Sequence, residues 1–319
     1  YDDVKDCSVF IVIIPLFLND NHTPEMTTLE SAFRNLSRIL KKGDIVVLET
    51  TVPPMTTETL VRRWLDDGSQ LKLGEYYLAY SPERIMTGYS ISRLREFPKV
   101  IGGVDVESGR RAFEVYRTFI PNLNLVSSAR VAEFIKVIEG CYRDVNIALA
   151  NELFVMADEL EVNFSEARDF ANHEFCEIHS PSTGVGGHCI PVYPWFLINE
   201  MTKRGEYGYA RLLRTSREIN DGMISYWSEK ILLESLKLDK PLAQVKICVK
   251  GITYRKGVRE LHHSRNLALA KLMLDKGLDV YVYDEDLTRK QVENLGLKWI
   301  GLKDADIIFD TYSLKTTAK

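Results

Sequence analysis

The residues best equipped for chemistry sit in Gly184-Val-Gly-Gly-His-Cys-Ile-Pro191, where Cys189 follows a run of glycines and is succeeded by Pro191 and Pro194. Glycines let backbone approach a ligand closely and can aim N–H groups at an oxyanion, while prolines stiffen the exit. A thiol so placed can attack a carbonyl carbon. Free cysteines are also among the most buried residues, and composition alone favours a small filler in a turn. Lys136 and Arg143, seven apart, share one helix face and could hold an oxyanion and a phosphate or carboxylate; the alternative is a solvated face opposite a core stripe. Glu83, in Ser81-Pro-Glu-Arg84, is either a base or ribose ligand at a strand end, or the salt-bridge partner of Arg84 or of a neighbouring helix. Arg211-Leu-Leu-Arg214 and Arg255-Lys-Gly-Val-Arg259 either meet a diphosphate or are surface charge. His173, His179, His188 and the His262-His263 pair match no metal-ligand spacing, so no metal is expected.

These groups need a scaffold, and 319 residues are too many for one ordinary core, so two or three domains are expected. A net charge of -4 with 45% apolar residues describes a soluble globular chain without the basic excess of a nucleic-acid binder. The five cysteines contain no Cys-x-x-Cys pair, which argues against a disulfide framework and for a reducing cytoplasm. The most apolar run, Val9 to Leu18, is too short for a bilayer, carries Pro15 and lacks a signal peptide's basic start; it reads as a buried strand, with no membrane partner.

Short β-branched runs at Val9–Ile14, Ile45–Leu48, Tyr76–Ala79 and Val100–Ile101 alternate with helical patterns at Thr27–Leu40, Thr56–Leu65 and Glu107–Phe119. Such alternation predicts a parallel, doubly wound sheet with ligands beyond the strand ends at Ile14-Pro15, Glu49-Thr50-Thr51 and Tyr80 to Glu83. Ala129 to Leu160 predicts one long helix. Its large apolar residues, Val131, Phe134, Ile135, Ile138, Tyr142, Val145, Leu149, Leu153 and Met156, line one side, with Lys136, Gly140 and Arg143 opposite. Beyond Val145 the opposite face also turns apolar, so the second half is expected to be buried all round, as at a homodimer interface. A second α/β unit follows, with strands at Val245–Val249, Asp279–Tyr283 and Ala305–Asp310 and a helix at Ser264–Lys276.

Six stretches in register resemble the nucleotide-sugar 6-dehydrogenases, the family of UDP-glucose, GDP-mannose and UDP-N-acetylmannosamine dehydrogenases. They are Leu48-Glu-Thr-Thr-Val-Pro-Pro54, Ser81-Pro-Glu-Arg84, Pro98-Lys-Val-Ile-Gly-Gly103, Tyr142-Arg-Asp-Val-Asn-Ile-Ala-Leu-Ala-Asn-Glu152, Gly184 to Pro191 and Gly251-Ile-Thr-Tyr254. Residues 143–152 and 210–221 look most like the UDP-N-acetylmannosamine branch. The resemblance implies two Rossmann-like domains, 1–126 for NAD and 223–319 for UDP, flanking a helical dimerisation segment, 127–222. It implies a cytoplasmic homodimer of polysaccharide biosynthesis that performs a four-electron oxidation of a sugar C6 alcohol to the uronate through a thiohemiacetal and a thioester on Cys189. Lys136 then steadies developing oxyanions, with Thr51 and Glu83 beside the cofactor and the reacting carbon. NAD contacts fall to Pro15, Thr51, Glu83 and His262. Substrate contacts fall to Arg84, Lys136, Arg143 and Asn146, to Gly186, Gly187 and His188, and to Arg211, Tyr254 and Arg255.

Departures from the family pattern are equally plain. No Gly-x-Gly-x-x-Gly occurs, the front βαβ unit that should supply the pyrophosphate turn is absent, and the sequence as it stands is expected to bind NAD weakly, as a piece of a longer chain. Tyr193 stands where the family usually has aspartate, Gly140 where it has asparagine, Leu16 where it has threonine, and Arg255 and His262 where it has lysine and arginine. Glu83 or Asp144 is the expected helper of hydrolysis in place of that aspartate. The competing expectations are a UDP-glucose 6-dehydrogenase, a two-electron dehydrogenase, and a degenerate UDP-sugar-binding dimer.

Overall fold

The computed structural model describes residues 2–84 and 97–318. The chain divides into two compact units, residues 1–140 with 192–210, and residues 141–191 with 211–319.

The first unit is built on a five-stranded sheet. Its strands are β1 (Val9–Val12), β2 (Ile45–Leu48), β3 (Tyr77–Tyr80), β4 (Lys99–Gly103) and β5 (Leu123–Val126). Helices α1 (Thr27–Ser37), α2 (Arg62–Ser69) and α3 (Val106–Tyr116) join them. The uninterrupted Ile45-Val-Val-Leu48 of β2 is buried on both faces, as a central parallel strand requires. Phe33 and Trp64 close one side of the sheet, and Ala112 and Tyr116 the other.

Two sequence expectations change here. The Val9 run is only half-buried, because among the described residues β1 pairs with β2 on one side only and turns Val9 and Ile11 outward while Phe10 faces the core. The sheet is also not wholly parallel: β4 runs against β3, with Tyr80 opposite Gly102, and β5 then follows β4 in parallel. The start of β4 therefore lies at the edge where β1 to β3 end, which brings Lys99 beside Glu49 and Glu83.

Helix α4 (Ala129–Glu159) is the predicted long helix, with its polarity inverted relative to an ordinary surface helix. The faces carrying Ala132, Glu133, Val137, Gly140, Asp144, Ala148 and Asn151 are buried. The large apolar stripe is turned outward, with Phe134 46%, Tyr142 55% and Met156 52% exposed. The expectation that its second half is buried all round thus fails within one chain: small residues let α4 lie close to its own neighbours, and Leu149 and Met156 are left uncovered.

The second unit holds α5 (Phe164–Ala171) and, after α6 (Tyr193–Lys203) of the first unit, the long α7 (Arg211–Leu236), which the sequence reading did not foresee. Its strands are β6 (Ile247–Lys250), β7 (Val280–Tyr283), β8 (Lys298–Trp299), β9 (Ile307–Asp310) and β10 (Lys315–Ala318). Helices α8 (Arg265–Asp275) and α9 (Arg289–Glu293) separate the first three of them. The order β10-β9-β6-β7-β8 reverses at β6, and β10 alone is antiparallel to its neighbour. Trp227 on α7 packs against Phe309 at 4.9 Å between ring centres, anchoring that helix on the sheet.

Candidate active site

In the first unit, the candidate residues gather beyond the ends of β2 and β3. Thr50 fixes the exit of β1, its hydroxyl donating to the Ile14 carbonyl (2.6 Å) and accepting from the Ile14 N–H (2.8 Å). Pro15 follows, exposed. Thr51 is half-buried, its Oγ1 3.2 Å from the Tyr193 hydroxyl. Glu49 is not free to bind a ligand: Lys99 lies 2.9 Å from it, and the Tyr116 hydroxyl donates to it at 2.5 Å. Burial and the Glu49 carboxylate hold the Tyr116 phenol far above its usual range.

Glu83 accepts the Arg84 backbone N–H (2.5 Å) and stands 3.8 Å from the Lys99 ammonium. Arg84, expected either on substrate or paired with Glu83, turns its guanidinium to Glu139 on α4 and to the Pro98 carbonyl (2.7 Å). Lys136 is half-buried, its ammonium 5.8 Å from the centre of the Tyr193 ring.

Glu133, which sequence reasoning passed over, is fully buried three residues before Lys136. It accepts hydrogen bonds from Met55 N (2.6 Å), Thr57 N (2.8 Å) and Thr57 Oγ1 (2.6 Å), fastening the segment after Thr51 where Met55 takes a left-handed φ of 79°. Burial raises its carboxyl to about 7 against the pull of those donors. The signal was present: a glutamate one residue after Ala132 and four before Val137, on the small-residue face of the helix.

In the second unit, a buried polar network holds the start of the glycine loop. Arg217 donates to Asp144 at 2.5 Å and to Asp221 at 2.6 Å, and Asn220 donates to Asp144 at 2.9 Å. Asn151 donates to Asn220 (2.9 Å) and accepts from Ser182 N (2.7 Å). Burial raises the Asp144 carboxyl, opposed by Arg217 and Asn220. Fully buried and committed to Arg217, Asp144 is ill placed to activate water, contrary to one expectation above.

The glycines answer to close approach. A Cβ on Gly184, already at φ +112°, would meet the Asn220 carbonyl at 2.5 Å, and one on Gly186 would meet the His263 carbonyl at 2.5 Å. Cys189 is exposed at the end of this loop, which removes the buried-filler alternative; Cys141 and Cys248 are buried, and burial pushes the Cys141 thiol up to about 12. The His188 ring stacks on His262 at 4.2 Å and lies 3.9 Å from Glu260. Among the described residues no group of three or more His, Cys, Asp or Glu is placed to hold a metal ion. Tyr254 lies against Gly187, with Arg255 5.9 Å from its ring centre. Arg143 and Arg211 are exposed, and the Asn146 amide donates to the Tyr142 carbonyl one turn back (2.7 Å).

Residues 1–120 match the model of the UDP-glucose/GDP-mannose dehydrogenase family, NAD binding domain, and residues 130–222 that of the same family's central domain. The solved UDP-D-ManNAc dehydrogenase of Pyrococcus horikoshii superposes with a TM-score of 0.84 at 32% identity, over 97% of this chain and 72% of that one. The chain belongs to the UDP-glucose/GDP-mannose dehydrogenase family. A UDP-N-acetyl-D-mannosamine dehydrogenase of Methanocaldococcus jannaschii is 35% identical over 285 residues, covering 88% of this chain and 63% of the relative. An NDP-N-acetyl-D-galactosaminuronic acid dehydrogenase of Ralstonia nicotianae is 33% identical over 283 residues, covering 86% of this chain and 64% of the relative. The chain thus spans less than two thirds of the length of these two curated relatives. The buried Asp144, Asn151, Arg217 and Asn220 all fall within the residues matched to the family's central domain.

Proposed function

We propose that the protein is an NAD-dependent nucleotide-sugar 6-dehydrogenase that oxidises the C6 hydroxymethyl of a UDP-sugar to the uronate, with UDP-N-acetyl-D-mannosamine as substrate. The observation that carries this is an exposed Cys189 at the end of a loop whose start is pinned to the buried Asn151. The named activities of the M. jannaschii and P. horikoshii relatives support the choice of sugar.

Pro15 and Thr51 offer backbone and hydroxyl groups at a carboxyl edge of the sheet, where a nicotinamide cofactor fits one half of its needs; the glycine-rich pyrophosphate turn is not in this sequence. A bound NAD would supply the hydride acceptor for each oxidation of C6, a fresh molecule serving the second, so that two NADH leave per sugar. The Cys189 thiolate adds to the C6 aldehyde, forming a C–S bond and a tetrahedral carbon that keeps one hydrogen; once that leaves as hydride, water cleaves the thioester, freeing uronate and thiol. Lys136 steadies the oxyanion at each tetrahedral stage. Residues 1–126 serve the cofactor, 223–319 the UDP, and 127–222 dimerisation through the outward apolar stripe of α4. No helix among the described residues is long and apolar enough to cross a membrane.

A second reading, a UDP-sugar-binding dimer without turnover, is favoured by Tyr193 at the position where an aspartate is expected. Counting NADH per sugar separates them: two for the proposed enzyme, none for the binder, one for a two-electron dehydrogenase. Cys189→Ala should abolish uronate formation; uronate formed by that variant at the parent rate refutes the thioester route.

A further inference from the structure

Two departures from the family pattern, Gly140 and Tyr193, touch each other. A Cβ built on Gly140 would lie 2.3 Å from Cδ2 of the Tyr193 ring and 3.0 Å from its Cβ, so the ring occupies the space a side chain at 140 would need. Lys136 precedes Gly140 by one helical turn, hence on the same face of α4, and the ring seated on Gly140 comes under the Lys136 ammonium at 5.8 Å. The other end of the ring reaches Thr51, with 3.2 Å between Tyr193 OH and Thr51 Oγ1. Tyr193 opens α6, is followed at once by Pro194, packs against the buried Phe196 at 6.0 Å and is itself buried, which restricts the positions its ring can take. Every residue in this set belongs to the first unit.

From this we propose that Tyr193 is a positioning residue of the oxidation: it holds the lysine over its ring face and the threonine on its hydroxyl, and residue 140 is glycine because any side chain would evict that ring. The inference rests on the oxidation assigned above. Gly140 and Tyr193 thus form a matched pair, the ring filling the space that a side chain at 140 would need.

The test is a cycle of Gly140→Ala, Tyr193→Ala and the double variant, with Tyr193→Phe alongside. Gly140→Ala and Tyr193→Ala are each expected to lower kcat by about tenfold or more with KM for the sugar nucleotide within about twofold. The double variant should be no worse than Tyr193→Ala alone, because removing the ring removes the 2.3 Å clash and leaves the alanine at 140 the 3.0 Å approach to the Cβ of residue 193. Tyr193→Phe keeps the lysine seat and loses the hydroxyl with its Thr51 contact, so its loss of kcat should be the smallest. Reductive ¹³C-methylation gives a readout independent of turnover. The Lys136 resonance, identified by its absence in Lys136→Arg, should be displaced by the ring current in the parent and in Tyr193→Phe, and return toward the exposed lysines in Tyr193→Ala and Gly140→Ala. An unchanged Lys136 resonance in Tyr193→Ala, or a Gly140→Ala loss as large in the Tyr193→Ala background as in the parent, overturns the inference. A parent that makes no NADH overturns the functional reading and the catalytic half of this one, while the resonance still decides whether the ring holds the lysine.

Discussion

Glu133→Gln isolates the balance between burial and hydrogen bonding behind the Thr51 segment. The carboxyl is fully buried, and its three donors favour the charged form, yet its titration lies at about 7 instead of 4.5. A carboxyl raised in the folded state binds a proton that the unfolded chain has already lost between those two values. Stability from Glu133 is therefore full below pH 4.5 and falls as pH rises toward and through about 7. A rise from 4.5 to about 7 corresponds to about 3 kcal/mol lost by pH 8. Glutamine is neutral like the protonated acid: its carbonyl can accept from Thr57, while its NH₂ faces the Met55 N–H without an acceptor, a cost that does not change with pH. The variant has no such slope. Urea unfolding of parent and variant at pH 5 and pH 8 should show the glutamine protein gaining about 2–3 kcal/mol on the parent between the two, since the first part of the loss already falls below pH 5. A gap independent of pH, or one that moves in the parent's favour at pH 8, refutes the reasoning, because the three donors would then have outweighed desolvation.

Arg217→Ala should destabilise the second unit by about 3–5 kcal/mol, since it strands the buried Asp144 carboxylate; Arg217→Ala with Asp144→Ala should recover part of that in the same denaturation experiment. A single charge on the outward stripe of α4, Leu149→Glu, should shift a dimer toward monomer in light scattering while leaving the monomer's unfolding transition within about 0.5 kcal/mol, because Leu149 is exposed in the single chain.

The α/β character was legible because β2, β6 and β9 are short apolar runs bounded by turn residues, and α4 because it lacks proline and nearly lacks glycine. Strand direction is not written in local composition: nothing in Lys99-Val-Ile-Gly-Gly103 distinguishes a parallel from an antiparallel neighbour, so the reversal of β4 was missed. Leu123-Asn-Leu-Val126 is an edge strand with two exposed residues and carries almost no hydrophobic signal. Gly222 and a polar first half hid the length of α7, although Arg217, Asn220 and Asp221 recur at the three- and four-residue spacing of one helix face. Cys189 in the second unit, and Lys136 and Thr51 in the first, were singled out from motif and resemblance, whereas Glu133 and the Gly140–Tyr193 contact depend on packing between distant segments.

The network of Asp144, Asn151, Arg217 and Asn220 leaves few single-step exits for mutation. A change at any one member leaves a buried charge or amide unanswered by the others, and partly answered polar clusters are worse than apolar ones. Drift at these positions is therefore confined to coordinated replacement, and the quartet should persist as a signature in descendants whose surfaces have become unrecognisable.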